Sequence, residues 1–168
     1  ARVVAQLPCR SQPNRQPRSF ADSNHRSPMS YLLDTCVVSE LSRPRPAPGV
    51  VAWISEADVV SLHLSAITIG ELRHGTLRLP VGKRRASLSG WTEKLRQSFS
   101  GRVLPIDESI ALRWAEIAAR AERAGRPGSL ADGLIAATAL DRGLTLVTRN
   151  VTDFEPFGVS LLDPWTAT

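Results

Sequence analysis

The sequence predicts a three-layer α/β domain, a mostly parallel central sheet flanked by helices. Two observations predict it. Short, almost wholly apolar runs alternate with longer amphipathic stretches along most of the chain, the pattern of strands joined by crossover helices. The chain has 168 residues, 42% of them hydrophobic, which is enough for one substantial core and too short for a second full domain.

Residues 1–28 stand apart. They are rich in Arg, Pro, Ser, Gln and Asn and have few apolar side chains to offset the entropy of ordering, so a disordered basic extension is expected there. Met29 directly precedes the first apolar strand, a position that fits a natural start, and the sequence leaves open whether the residues before it belong to the native protein. The folded domain is expected over 29–168. The formal charge of +5 belongs mostly to the extension, where five arginines and one aspartate give +4. The remaining 140 residues carry 16 basic and 15 acidic groups, so charge alone points only weakly to a nucleic acid.

The first strand is YLL at 31–33, followed by a helix over TCVVSELS. The Pro-rich connection RPRPAPG separates it from a second helix around VVAWISEA. VSLHL is the next strand and ITIGELRHGTLRL the next helix. The basic stretch GKRRASLSGWTEKLRQSF is helical, VLPI a short strand, and SIALRWAEIAARAERAG a long helix. SLADGLIAATALDRG completes the helices, LTLV and VSLL the strands, and TRNVTDF reads as a short loop between those last two. In such sheets chemistry gathers at the carboxyl ends of the strands, where strand order reverses.

Several function classes drop out. Cys9 and Cys36 show no CxxC spacing and build no disulfide framework, and His25, His63 and His74 fall into no zinc pattern. The chain reads as reduced and cytoplasmic. No apolar run approaches the roughly 18–20 residues of a membrane span, and the opening residues lack the apolar core of a signal peptide.

Four acids are candidates, three of them just past a strand or at a helix start, where the strand-end rule directs attention. Asp34 closes the first strand and opens a helix, which suits a helix cap as well as a site. Glu71 lies among Ile67, Ile69 and Leu72 near the start of its helix; a solvated glutamate is the plainer reading. Ser129 to Asp132 spells the S-x-x-D of a capping box, yet Asp132, Ile135, Ala136 and Ala139 share one face turned toward the interior. Asp153 follows LTLVT and reads by default as a turn residue. Together the four change meaning, because converged carboxylates repel unless a cation compensates. Oxygen-only ligands favour Mg²⁺ or Mn²⁺ over zinc, and such ions suit phosphodiester hydrolysis without a protein nucleophile.

These residues carry a resemblance. YLLDT, TIGELRHG, GRVLPID, LADGLIAATAL and TRNVTDF, in this order, resemble the PIN-domain ribonucleases of the VapC toxin family, close to its FitB-like branch, from about Met29 to Trp165. The resemblance implies a PIN-like fold with metal ligands at Asp34, Glu71, Asp132 and Asp153, and supporting roles for Thr35, Asn150 and Arg149. It implies an Mg²⁺- or Mn²⁺-dependent endoribonuclease, the toxin of a toxin–antitoxin pair. A VapB-type antitoxin, a structured RNA such as tRNA, and a homodimer are the partners it implies. The family often has Asn where this chain has Cys36, and Asn where it has Asp163; Cys36 is expected to pack as a small apolar residue.

Trp53, Trp91, Trp114 and Trp165 could stack on bases, although core packing is the expected role for most. Lys83, Arg84 and Arg85 form a run that is either a solvated face or a phosphate contact. A phosphatase-like site with a nucleophilic strand-end aspartate would want a second acid two residues on, where Cys36 stands. The competing non-enzymatic reading is a catalytically silent PIN-fold module that binds RNA or protein.

Overall fold

The computed structural model describes residues 29–166, and the expectation for residues 1–28 lies outside them. Five strands form one sheet in the order β3-β2-β1-β4-β5, and every pairing is parallel. The strands are β1 (Tyr31–Leu33), β2 (Leu62–Ser65), β3 (Val103–Leu104), β4 (Thr145–Val147) and β5 (Leu161–Leu162). The chain builds outward from β1 to β2 and β3, then returns to place β4 and β5 on the other side of β1. Strand order therefore reverses between β1 and β4, and the carboxyl edge at that switch point is where such sheets place their chemistry.

Seven helices connect the strands among the described residues: α1 (Thr35–Leu41), α2 (Pro48–Glu56), α3 (Ala66–Leu77), α4 (Lys83–Ser98), α5 (Glu108–Arg123), α6 (Leu130–Arg142) and α7 (Val151–Phe154). All five expected strands and all six expected helices form. The segment read as a loop, TRNVTDF, instead contains the single turn α7, which runs on into a 3-10 turn at Glu155–Phe157. Its signal is too short for helical periodicity, and the turn exists because Phe154 and Phe157 bury completely beneath it. The VSLHL run also begins one step late, with a 3-10 turn at Val59–Ser61 capped by Asp58 before β2 starts.

Successive strand residues face opposite layers, so the sheet needs apolar side chains on both sides. Leu33, Leu62, Leu64 and Val147 pack with Val37, Val38, Leu41, Val50, Ile54, Leu72 and Leu95 from α1 to α4. Leu32 and Leu146 point the other way and meet Ile110, Ile117, Ile135, Ala136, Phe154 and Phe157 from α5, α6 and the α7 segment. Trp53, Trp91 and Trp165 lie against the first of these cores and Trp114 against the second, which is the packing role expected of them.

α6 packs on the sheet through a face of mostly small residues. Ile135, Ala136, Ala137 and Ala139 are fully buried. It ends at Gly143, in the left-handed conformation at φ 64°, where the Leu144 N–H returns to the Ala139 carbonyl at 2.8 Å. At its other end Gly133 faces Trp114: a Cβ there would lie 2.8 Å from the indole Cδ1 and Nε1. Gly133→Ala is therefore expected to lower stability by about 1–3 kcal/mol through overpacking, part of it recovered by adding Trp114→Phe. An unchanged urea midpoint in the single variant would show that α6 can shift at no cost.

Candidate active site

Asp34 follows β1 directly and is only 4% exposed. Its backbone N–H extends the β1–β4 ladder to the Val147 carbonyl at 3.0 Å, so the residue is fixed at the switch point itself. A buried carboxylate needs donors, and Asp34 has three. The Thr35 N–H donates to Oδ1 at 2.6 Å as α1 begins. Thr148 Oγ1, at the end of β4, donates to Oδ2 at 2.7 Å, and Cys36 Sγ donates to the same oxygen at 3.0 Å.

The Thr35 hydroxyl reaches the other way and donates to Glu71 Oε2 at 2.5 Å. Glu71 comes from the second turn of α3, which leaves β2 with no intervening loop under a Ser65 cap. Thr35 thus ties the acid on α3 to the acid on β1. The cap expected at Asp34 forms, and it uses the same carboxylate that the sequence puts forward as a site residue.

Asp132 lies in the first turn of α6, half-buried, in the capping box its spacing predicts. Its N–H donates to Ser129 Oγ at 3.0 Å and the Ser129 hydroxyl donates back to Oδ2 at 2.5 Å. Burial pushes its carboxyl pKa up; the Ser129 bond opposes this, and the charges of Asp34 and Asp153 add to the rise. The three aspartates therefore share one electrostatic region. Asp153 is exposed in the first turn of α7, with Asn150 capping that turn through its backbone carbonyl. Arg149 and Asn150 are exposed between Thr148 and α7.

Among the described residues, no three His, Cys, Asp or Glu side chains are drawn together tightly enough to enclose an ion as they stand. Ser129 and Thr35 each occupy one oxygen of Asp132 and Glu71. The donor set is nevertheless all oxygen and suits Mg²⁺ or Mn²⁺.

Two participants escape a reading of the sequence alone. Thr148 is completely buried, bonds Asp34, and accepts the Asn150 N–H at 3.0 Å, so it couples the central carboxylate to the turn that carries Arg149 and Asp153. A hydroxyl ending an apolar strand is its signal in the sequence. Cys36 is more than an apolar filler: it donates to Asp34 and accepts the Arg149 N–H at 3.4 Å. Burial first, then the adjacent Asp34 charge, push its thiol pKa up to about 11, so it stays protonated as the donor this bond requires. The remaining candidates fall elsewhere: Lys83 and Arg84 are exposed at the start of α4.

A parallel α/β sheet with acids gathered at its switch point defines a class of acid-centred α/β domain. The particular family follows from comparison. The PIN domain model matches residues 31–155, and the chain belongs to the PIN-domain family. It is 40% identical over 135 residues to the VapC ribonuclease Y4jK of Sinorhizobium fredii, covering 80% of this chain and 96% of that protein. Toxin FitB of Neisseria gonorrhoeae is 43% identical over 138 residues, covering 80% and 97%. In the crystal structure of FitAcB from Neisseria gonorrhoeae, a chain superposes with a TM-score of 0.77 at 40% identity, covering 82% of this chain and 99% of that one.

Two outcomes test this geometry. Because Asp132 holds its proton more readily folded than unfolded, its favourable share of stability is complete below the unfolded carboxyl range and is lost as pH rises through the raised folded value. In EDTA at neutral pH, Asp132→Asn should melt above the wild type, with the gap closing in acid; an equal melting temperature throughout would remove the repulsion. Thr148→Val should cost about 1–3 kcal/mol by leaving Asp34 short of a donor, with Thr148→Ser recovering most of it in urea titrations. A neutral Val variant would show that the Thr35 N–H and the Cys36 thiol suffice.

Proposed function

We propose that the protein is a divalent-metal-dependent endoribonuclease, the toxin of a toxin–antitoxin pair, cleaving structured RNA such as tRNA in the cytoplasm. The observation that carries this is the mutual charge of Asp34, Asp132 and Asp153 at the switch point. A polyanion can approach such a surface only with a cation between them. Asp34, Glu71, Asp132 and Asp153 would hold Mg²⁺ or Mn²⁺. When bound, the ion supplies charge neutralisation at the phosphate and a more acidic water.

The chain's own residues orient the acids. Thr148 and Cys36 fix Asp34 from the β4 side and Thr35 fixes Glu71 from the α1 side, the supporting arrangement that ligands need to keep one orientation. Ser129 holds Asp132 against α6 and can receive or release the hydrogen bond as that carboxyl loses its proton. Asn150 and Arg149 stand at the open side, toward an incoming strand.

Relatives support the substrate class. The VapC of Shigella flexneri, 28% identical over 138 residues, is a tRNA(fMet)-specific endonuclease. The matching FitAB structure is bound to an IR36 DNA fragment, and VapBC-1 of nontypeable Haemophilus influenzae is another structural neighbour, with a TM-score of 0.66. By the same likeness the partner of this chain is a VapB-type antitoxin, acting on a homodimer. No described helix is long and apolar enough to cross a membrane.

The test is cleavage of total cellular RNA by the purified, antitoxin-free chain with Mg²⁺ or Mn²⁺. Discrete fragments are expected, absent in EDTA and lost in Asp132→Asn. Binding without cleavage by folded protein in both metals would replace the nuclease with the silent-module reading.

A further inference from the structure

A cation stands beside the acidic edge without joining it. Arg149 is exposed, follows Thr148 directly, and is tied to Cys36 through its backbone N–H. Among the described residues it has no carboxylate within 4.0 Å, although Asp34 follows the neighbouring strand β1 and Asp153 lies on α7, which comes next in the chain. Its guanidinium carbon lies over the indole of Trp165, 5.2 Å from the ring centroid.

Trp165 is well placed to hold it. The residue follows β5, whose carboxyl end neighbours that of β4. Its backbone N–H donates to Asp163 Oδ1 at 2.8 Å, the adjacent Pro164 is buried, and the ring itself rests on the core packed by α1 to α4. The Asp163 found where the family often has Asn keeps the acceptor this turn uses. An arginine on a flexible stem beside several carboxylates would otherwise swing onto them, and its donors would be lost to any other anion. Stacking on an aromatic face holds the guanidinium while leaving its N–H groups available, and those groups match a phosphodiester bidentately.

We propose that Arg149, held in place by Trp165, binds a backbone phosphate of the RNA next to the scissile bond, with Trp165 as a positioning residue that itself touches no base. This rests on the nuclease reading. It also accounts for how a strand of phosphates settles against acids: the repulsion on one nucleotide is offset by a cation set at a fixed distance from its neighbour.

The test uses the full chain carrying Asp132→Asn to suppress cleavage, and a short fluorescein-labelled single-stranded RNA of mixed sequence, read by anisotropy over a series of salt concentrations. Arg149→Ala should flatten the slope of log Kd against log salt by about 0.7, the share of one phosphate on a single strand. Trp165→Leu should flatten it equally, the double variant no further than either single one, and Trp165→Phe should keep the wild-type slope. In the otherwise native enzyme, Arg149→Ala and Trp165→Leu should raise KM and leave kcat nearly unchanged. Arg149 is exposed, so its variant decides the question even if Trp165→Leu fails to fold. An unchanged slope in Arg149→Ala, additive slope changes, or a salt-independent loss confined to Trp165→Leu, the mark of base stacking, would each overturn the proposal while the nuclease stands. If the chain neither binds nor cleaves RNA, the nuclease reading fails and this inference falls with it.

Discussion

A carboxylate that is 4% exposed at the end of a central strand dictates much of what surrounds it. A carboxyl group can be buried there only if donors converge on it, and they come from two directions: the start of α1 supplies the Thr35 N–H and the Cys36 thiol, the end of β4 the Thr148 hydroxyl. That requirement is met only where β4 lies beside β1, so the outward-and-return winding of the sheet and the satisfaction of one side chain are the same constraint. The strand order puts Thr148 in range, and Thr148 then fixes the turn leading to α7.

The second acid element is positioned by packing. α6 approaches through alanines and a glycine, with Gly133 so close to Trp114 that no side chain fits between them. Asp132 is the residue just before that contact. Its height above the sheet is thus set by the α5–α6 interface, while its orientation is set by Ser129. Glu71 adds a third route, since α3 springs directly from β2 and the Thr35 hydroxyl joins it to the first acid. Hydroxyl groups of short reach join β4 and α3 to the β1 end, while α6 brings its acid in by packing alone.

The extent to which this is legible in the sequence follows from the range of each interaction. Apolar runs report burial on both sheet faces, and so the five strands and six longer helices can be read directly. A single turn such as α7 is too short to show a period, and it forms because Phe154 and Phe157 bury. The acids are legible as residue types at strand ends and in an S-x-x-D spacing. Their partners are not, because a hydrogen bond between residues 34 and 148 is set by strand order, which no local pattern encodes. Cys36 illustrates the same limit: its residue type suggests small apolar packing, whereas its position between Asp34 and Arg149 makes it a donor and an acceptor.

Burial of an acid does not by itself mark a site, and α1 carries the contrast. Glu40, six residues after Asp34, is also 4% exposed. One of its oxygens accepts the Ala47 N–H at 2.9 Å where α2 begins, and the other pairs with Arg43 at 2.9 Å. A backbone amide and a cation answer its two oxygens, and its charge closes the Pro-rich connection between α1 and α2. Asp132 has a hydroxyl and no cation, and two further carboxylates bear on it. The difference lies in what remains uncompensated. At Glu40 the fold completes the electrostatics from its own residues, while at the β1–β4 switch point it assembles negative charge and keeps its neighbouring arginine turned aside on Trp165. Hydroxyl groups and a protonated thiol, rather than cations of the fold, are what hold these acids in place.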